Sequence, residues 1–179
     1  MDVNTNNMNI FLKKIEKHEL ELFKQEMVAS FTQGVIDRFG DPAAAPVPPP
    51  EEVEQMWQDP ACDVFIIHAE NMPAGGAIVR KYANYKYSLD LLFIFNDFRN
   101  KKIGSAAWQA IEKHYPDAEL WETFTPYFER RNIHFYLNKC NFRIVEFFNE
   151  IHREEHDLTE EFKDVNTSGF FRFEKVIKR

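Results

Sequence analysis

The chain has little cysteine. Cys62 and Cys140 are its two cysteines; they form no CxxC pair and no disulfide framework. Two thiols of this kind are expected in an intracellular protein. Long apolar runs are missing, and none approaches the roughly 20 residues that a spanning helix needs. The opening residues, Met1-Asp2-Val3-Asn4-Thr5-Asn6-Asn7, have no charged-then-apolar signal pattern. A cytoplasmic protein without a membrane partner is the expectation. Positive charge is also short: 22 Lys and Arg face 29 Asp and Glu, a net charge of -7. That balance disfavours general nucleic-acid binding, which needs a basic face. No repeat of solenoid period is present.

The rest of the composition is that of a globular domain. At 179 residues, with 44% hydrophobic and 28% charged residues, the chain is expected to form one domain over 1–179 with a real core. There are 18 phenylalanines, some paired as in Phe147-Phe148 and Phe170-Phe171, which suggests an aromatic core or an aromatic-lined cleft. An acidic body would also attract a cationic amine.

Periodicity gives the elements. Residues Met1 to Asn9 read as a polar lead-in. Leu20, Phe23, Met27 and Phe31 fit a helix over His18 to Asp37. The Pro-rich stretch Asp41 to Pro50 is a stiff connector, and Glu51 to Gln58 is a second helix with acidic residues in its first turn. Strands are expected at Asp63–Ala69, at Ala74–Lys81 after the turn Glu70-Asn71-Met72-Pro73, and within Tyr85–Phe95. A helix from Ile103 stops at Pro116, and Glu119–Thr125 is a strand. Glu129–Lys139 is a helix ended by Asn141, followed by strands Phe142–Ile151 and Gly169–Lys178. The acidic stretch His152 to Ser168 reads as a surface excursion. Helices, then strands, then alternating strands and helices predict an α+β fold in α/β/α layers: a mixed, mostly antiparallel sheet flanked by helices.

The chain is organised around Ser88 to Tyr115. Leu91-Leu92-Phe93-Ile94-Phe95 is a buried strand. A basic connector follows, and then a helix whose first turn holds Gly104, Ser105 and Ala106. A helix N-terminus leaves backbone N–H groups unpaired and carries partial positive charge. Small side chains let a ligand approach that backbone. Arg99, Lys101 and Lys102 add full charges, so the turn suits a phosphate or pyrophosphate. An ordinary solvated turn fits the same residues.

Arg99-Asn100-Lys101-Lys102-Ile103-Gly104-Ser105-Ala106 resembles the acetyl-CoA pyrophosphate loop of the GNAT acyltransferase superfamily. That loop reads Arg or Gln, two variable residues, Gly, one variable residue, then Gly or Ala. Lys102 stands in the first glycine place, where a positive φ is costly for a side chain. Arg131 to Phe142 resembles the family's Phe-Tyr-x-x-x-Gly-Phe segment, with Asn141 in the glycine place. The resemblance spans about Phe11 to Phe173 and implies acetyl transfer from acetyl-CoA to a primary amine of a small cationic molecule or peptide, without a metal. By resemblance, Phe93, Ile94 and Phe95 pair with the pantetheine arm, and the Ile94 N–H steadies the thioester oxygen. Arg99, Asn100, Lys101, Lys102, Ile103, Gly104 and Ser105 hold the pyrophosphate. Tyr136 is the general acid, and Asn132 contacts the cofactor because Glu129 occupies the usual Asn position. Asp90 is the base or amine ligand, and Glu122 shares the acceptor. A homodimer is a further expectation from the family.

Two other readings remain at this level. His152-Arg153-Glu154-Glu155-His156 fits H-x-x-E-H, a zinc-hydrolase pattern with two histidines on one helix face. The departures at Lys102 and Glu129 also fit a module that binds an acyl-CoA without turning it over.

Overall fold

The computed structural model describes residues 8–43, 47–99, 102–149, 151–152 and 169–177. Strand β1 (Ile10–Lys14) is followed by a short 3₁₀ turn and by helix α1 (Leu20–Phe39); α2 (Pro50–Gln58) follows. Three strands come next: β2 (Cys62–Ala69), β3 (Met72–Lys81) and β4 (Lys86–Ile94). Helix α3 (Ile103–His114), β5 (Leu120–Pro126), α4 (Arg130–Asn138), β6 (Arg143–Phe148) and β7 (Phe170–Val176) complete the chain.

The strands form one sheet in the order β1-β2-β3-β4-β5-β7-β6. Every neighbouring pair is antiparallel except β4–β5, which is parallel. This is the mixed, mostly antiparallel sheet expected from the order of elements.

Two apolar layers sandwich it. On one face α1 and α2 bury Leu20, Phe23, Met27 and Val53 against Val64, Ile66, Ile78 and Phe93. Leu20, Phe23, Met27 and Ser30 recur every three or four residues, so one stripe of α1 faces the sheet. On the other face Ile103, Ala107, Trp108 and Ile111 of α3 pack on Phe65, Leu89, Trp121 and Phe173. Tyr136 of α4 joins that layer. Gly76 is what lets α1 lie so close: a Cβ there would meet Phe23 Cε2 at 2.4 Å and Phe93 Cε1 at 2.6 Å.

Three boundaries differ from the sequence reading. Ile10–Lys14 is an edge strand paired along its length with β2, where only a polar lead-in up to Asn9 and then a helix from His18 were expected. The β2–β3 turn uses two residues, Glu70 and Asn71, with φ of 51° and 70°. Met72 and Pro73 therefore belong to β3, because a tight turn with both central residues left-handed matches strand twist. Strand β6 ends at Phe148, and Ile151 is 97% exposed. Of the stretch read as a surface excursion, only His152 is among the described residues.

Candidate active site

The parallel β4–β5 pairing is short. It covers Lys86↔Leu120, Tyr87↔Trp121 and Ser88↔Glu122. One side-chain bridge, from Thr123 Oγ1 to the Leu89 carbonyl at 2.8 Å, extends it. Beyond that point β4 runs on to Ile94 and β5 to Pro126, and no pairing joins them. The two strands splay, and a cleft of about 1890 Å³ opens between and above them.

The backbone of β4 is aimed by its ladder with β3. The Phe95 N–H donates to the Ala74 carbonyl at 2.8 Å. Alternation along the strand then turns the Ile94 N–H and C=O to the opposite, open edge. The Ile94 carbonyl there accepts a bond from Ser30 Oγ at 3.2 Å, and its N–H faces the splay. Among Phe93, Ile94 and Phe95, Ile94 is the residue whose backbone addresses the cleft. Phe93 and Ile94 line the cleft, while Phe95 is buried among the rings under α1.

The register β3–β4 slips by one residue: Leu89 opposes Val79 and Leu91 opposes Ile78. Asp90 is the extra residue, a β-bulge. Bulges re-aim side chains at sites of this kind. It stands where pairing with β5 stops, at the vertex of the splay, and it lines the cleft. Its carboxylate accepts from Arg80 Nε at 3.0 Å, and Arg80 Nη1 reaches Asp59 at 2.7 Å. Burial pushes the Asp90 carboxyl above the usual carboxylate range and nearby Glu122 adds to this, while Ser88 and Arg80 oppose it.

Glu122 is the residue opposite Ser88 on β5, and its side chain is buried. It accepts from Lys86 Nζ at 3.0 Å and from Arg172 Nη1 at 3.2 Å. Arg172 also pairs with Glu146 and Glu174, and Glu146 with His152 Nε2 at 2.8 Å. Lys86, Glu122, Glu146, His152 and Arg172 line one side of the cleft, with the Phe124 and Phe148 rings stacked beside them.

Tyr136 enters from the α4 side. It is buried among Phe135, Phe142 and Phe173, lines the cleft, and its phenol is hydrogen-bonded with Thr123. Burial pushes its pKa up to about 12. It therefore stays protonated across the physiological range.

At the far end of β4 lies the N-terminus of α3. Lys102 is the residue before its first turn and adopts φ 56°, ψ 13°, the left-handed conformation that the glycine of a GNAT loop supplies freely. The lysine accepts the strained geometry rather than abolishing it. No acidic residue stands in that first turn. Lys102, Ile103, Gly104 and Ser105 all line the cleft, so the unpaired amides of the first turn open onto it. A Cβ at Gly104 would meet the Phe135 ring at 3.4 Å, an ordinary contact, so packing by itself does not demand glycine there. Arg99 binds the protein itself: Nη1 donates to Asp37 at 2.9 Å and Nη2 to the Ser30 carbonyl at 2.6 Å. It fastens the connector to α1. Asn132 lines the cleft and donates to Thr125 Oγ1 at 3.4 Å. Asn100 and Lys101 lie outside the described residues.

The splayed parallel pair leads from the half-buried Asp90 to the N-terminus of α3. The sequence model described as "Acetyltransferase (GNAT) family" matches residues 28–142. The chain belongs to this family. An acyl-CoA-dependent N-acyltransferase activity follows from that membership. A relative from Bacillus subtilis (strain 168), "Uncharacterized protein YrkN", is 38% identical over 179 positions and is covered to 97%, as is this chain. Among solved structures, a Bacillus subtilis acetyltransferase in complex with CoA superposes with a TM-score of 0.61 at 16% identity, over 96% of this chain and 100% of that one. Spermidine N-acetyltransferase from Vibrio cholerae, in complex with CoA and spermine, gives 0.67 at 11% identity, over 93% and 95%. At these identities the two structures speak for the GNAT fold.

The zinc pattern gains no support from geometry. His152 is committed to Glu146, and Glu155 and His156 lie outside the described residues. Among the described residues no group of three or more His, Cys, Asp or Glu is placed to hold a metal. No described helix is long and apolar enough to cross a membrane. Sequence reasoning missed Arg80, Thr123, Lys86 and Arg172 as site residues. Arg80 carried no signal that set it apart from Lys81 beside it: both follow an unbroken buried run over residues 74–79.

Proposed function

We propose that this GNAT protein transfers an acetyl group from acetyl-CoA to the primary amine of a small cationic molecule or peptide, by direct attack within a ternary complex. The observation that carries the reading is the splay itself. Asp90 stands at its vertex, the Ile94 amide lies on its open edge, and the α3 N-terminus is at its end. The fit to the donor is one of shape and charge. Unpaired first-turn amides and Lys102 suit a diphosphate, and a strand edge suits an amide-bearing arm.

Bound acetyl-CoA would supply an activated thioester carbonyl. The chain's own groups would do the rest. Asp90 takes a proton from the acceptor ammonium, and the freed nitrogen lone pair forms the new C–N bond. The Ile94 N–H stabilises the charge that gathers on the carbonyl oxygen. As the C–S bond breaks, Tyr136 gives its proton to the departing sulfur, and the second proton, which the nitrogen sheds on becoming an amide, passes through solvent to the phenolate. Where the acceptor would sit, four carboxylates, Asp59, Asp90, Glu122 and Glu146, meet three cations, Arg80, Lys86 and Arg172, which favours a cationic acceptor. The spermine bound by the Vibrio cholerae enzyme is a cationic amine of this class.

The test is free-thiol release from acetyl-CoA with a panel of amines. Tyr136→Phe should lower kcat by a factor of about 100 while leaving CoA affinity unchanged. Turnover equal to wild type would remove Tyr136 from the reaction. CoA binding without turnover on any amine would favour a binding module.

A further inference from the structure

Asp90 is an awkward group to rely on. It sits on a bulge, its side chain is 17% exposed, and the buried Glu122 carboxylate stands nearby. Burial and that neighbour both disfavour the ionised form, the form that accepts a proton from an amine. What faces it from each packed element is known. Arg80 comes from β3 and Tyr82 from just past its end, Ser88 from β4, and Asp59 and Cys62 from the α2–β2 junction. Glu122 comes from β5, held in turn by Lys86 and Arg172. Of the cations in this set, Arg80 is the one bonded to Asp90.

One guanidinium meets two acids in different directions. Nε is 3.0 Å from Asp90 Oδ2 and Nη1 is 2.7 Å from Asp59 Oδ2. Asp59 is itself fixed, because its Oδ1 accepts the Ala61 N–H at 2.9 Å and its own N–H bonds back into α2. The planar fork of arginine makes the second bond orient the first. A lysine at this position has charge but no fork.

We infer that Arg80 is the positioning residue of this acyltransferase: anchored by Asp59, it holds the Asp90 carboxylate ionised and aimed at the incoming amine. The inference rests on the reading of Asp90 given above. Arg80 touches neither amine nor thioester in this role; it acts through Asp90. Strand β3 and the end of α2 thereby contribute to a reaction whose other groups lie on β4, β5 and α4.

The experiment follows the Asp90 carboxyl by ¹³C NMR through a pH titration, its signal assigned with Asp90→Asn, alongside the pH dependence of kcat/KM. Wild type, Arg80→Gln, Arg80→Lys and Asp59→Asn are compared. Arg80→Gln should raise the Asp90 midpoint by about one pH unit or more and move the acid limb of kcat/KM up with it. CoA affinity by calorimetry should not change, which also reports that the variant is folded. Arg80→Lys should keep the acid limb within about 0.3 unit of wild type yet lose several-fold in kcat, because charge is retained and orientation is not. Asp59→Asn, at a more exposed position, should show the same split and guards against a misfolded Arg80→Gln. An Asp90 midpoint in Arg80→Gln equal to that of wild type would overturn the inference, as would a moved midpoint with an unmoved rate profile. A wild-type protein that acetylates no amine would instead sink the reading beneath it.

Discussion

Lys102 offers a perturbation in which stability and binding should move in opposite directions. It occupies φ 56°, ψ 13° immediately before α3, is solvent-exposed, and lines the cleft. A non-glycine residue in the left-handed region costs about 1–2 kcal/mol. Glycine removes that cost but gives back about 0.5–1 kcal/mol through the freer unfolded chain. Lys102→Gly should therefore stabilise the protein by roughly 0.5–1 kcal/mol. For a domain of this size that is a rise in Tm of about 1–4 °C. Lys102→Ala keeps the strain and should leave Tm near wild type. Both variants lose the same cation beside the first-turn amides, so both should bind CoA roughly three- to tenfold more weakly at low salt, with the difference shrinking as salt is added. Differential scanning fluorimetry and isothermal titration calorimetry on the three proteins give both quantities. A glycine variant no more stable than the alanine variant would refute the argument that lysine is strained here. Equal CoA affinity in all three would remove the side chain from diphosphate binding.

Two other changes probe what holds the sheet and its covering helices. Gly76→Ala must push a Cβ into space filled by the rings of Phe23 and Phe93, 2.4–2.7 Å away, and should cost about 1–3 kcal/mol in urea unfolding. Asp63 is buried and accepts from Lys14 Nζ at 2.7 Å and Tyr115 Oη at 2.7 Å, with Lys81 at 3.2 Å. Burial alone would raise its pKa, but these partners together hold it below the usual range. A depressed acid stabilises the fold above its unfolded pKa and loses that contribution as pH falls through the folded value. Asp63→Asn should therefore lower Tm at pH 7, and its deficit should fade as the pH falls through the depressed wild-type value, where the carboxylate also takes up its proton. A deficit independent of pH would show that shape, not charge, is what the substitution removes.

Much of this architecture was legible because its elements carry strong periodic signals. The 3.6-residue stripe of α1, the apolar run of β4 and the small residues opening α3 each point to one structure. What escaped was set by partners distant in sequence. Ile10–Lys14 is five residues with no turn signal of its own, and it is a strand because β2 offers an edge. Asp90 looks like any acid in a strand until the registers of β3 and β4 are compared. Arg99 reads as a free cation in a basic turn, yet α1 supplies a carbonyl and a carboxylate for it. At Lys102 the preference of a single residue pointed away from the left-handed conformation, and the connection between β4 and α3 imposed it nonetheless. The charged cluster beside the cleft drew on β5, β6 and β7 at once, and only their pairing brought Glu122, Glu146 and Arg172 together.

The most direct test is a titration of ¹⁵N-labelled protein with CoA, following the backbone amides. If the diphosphate rests on the first turn of α3 and the arm lies along the open edge of β4, the largest shifts fall on Ile94 and on Lys102 through Ser105. Saturable shifts confined to another surface, or none at all, would contradict that placement and the acyl transfer built upon it.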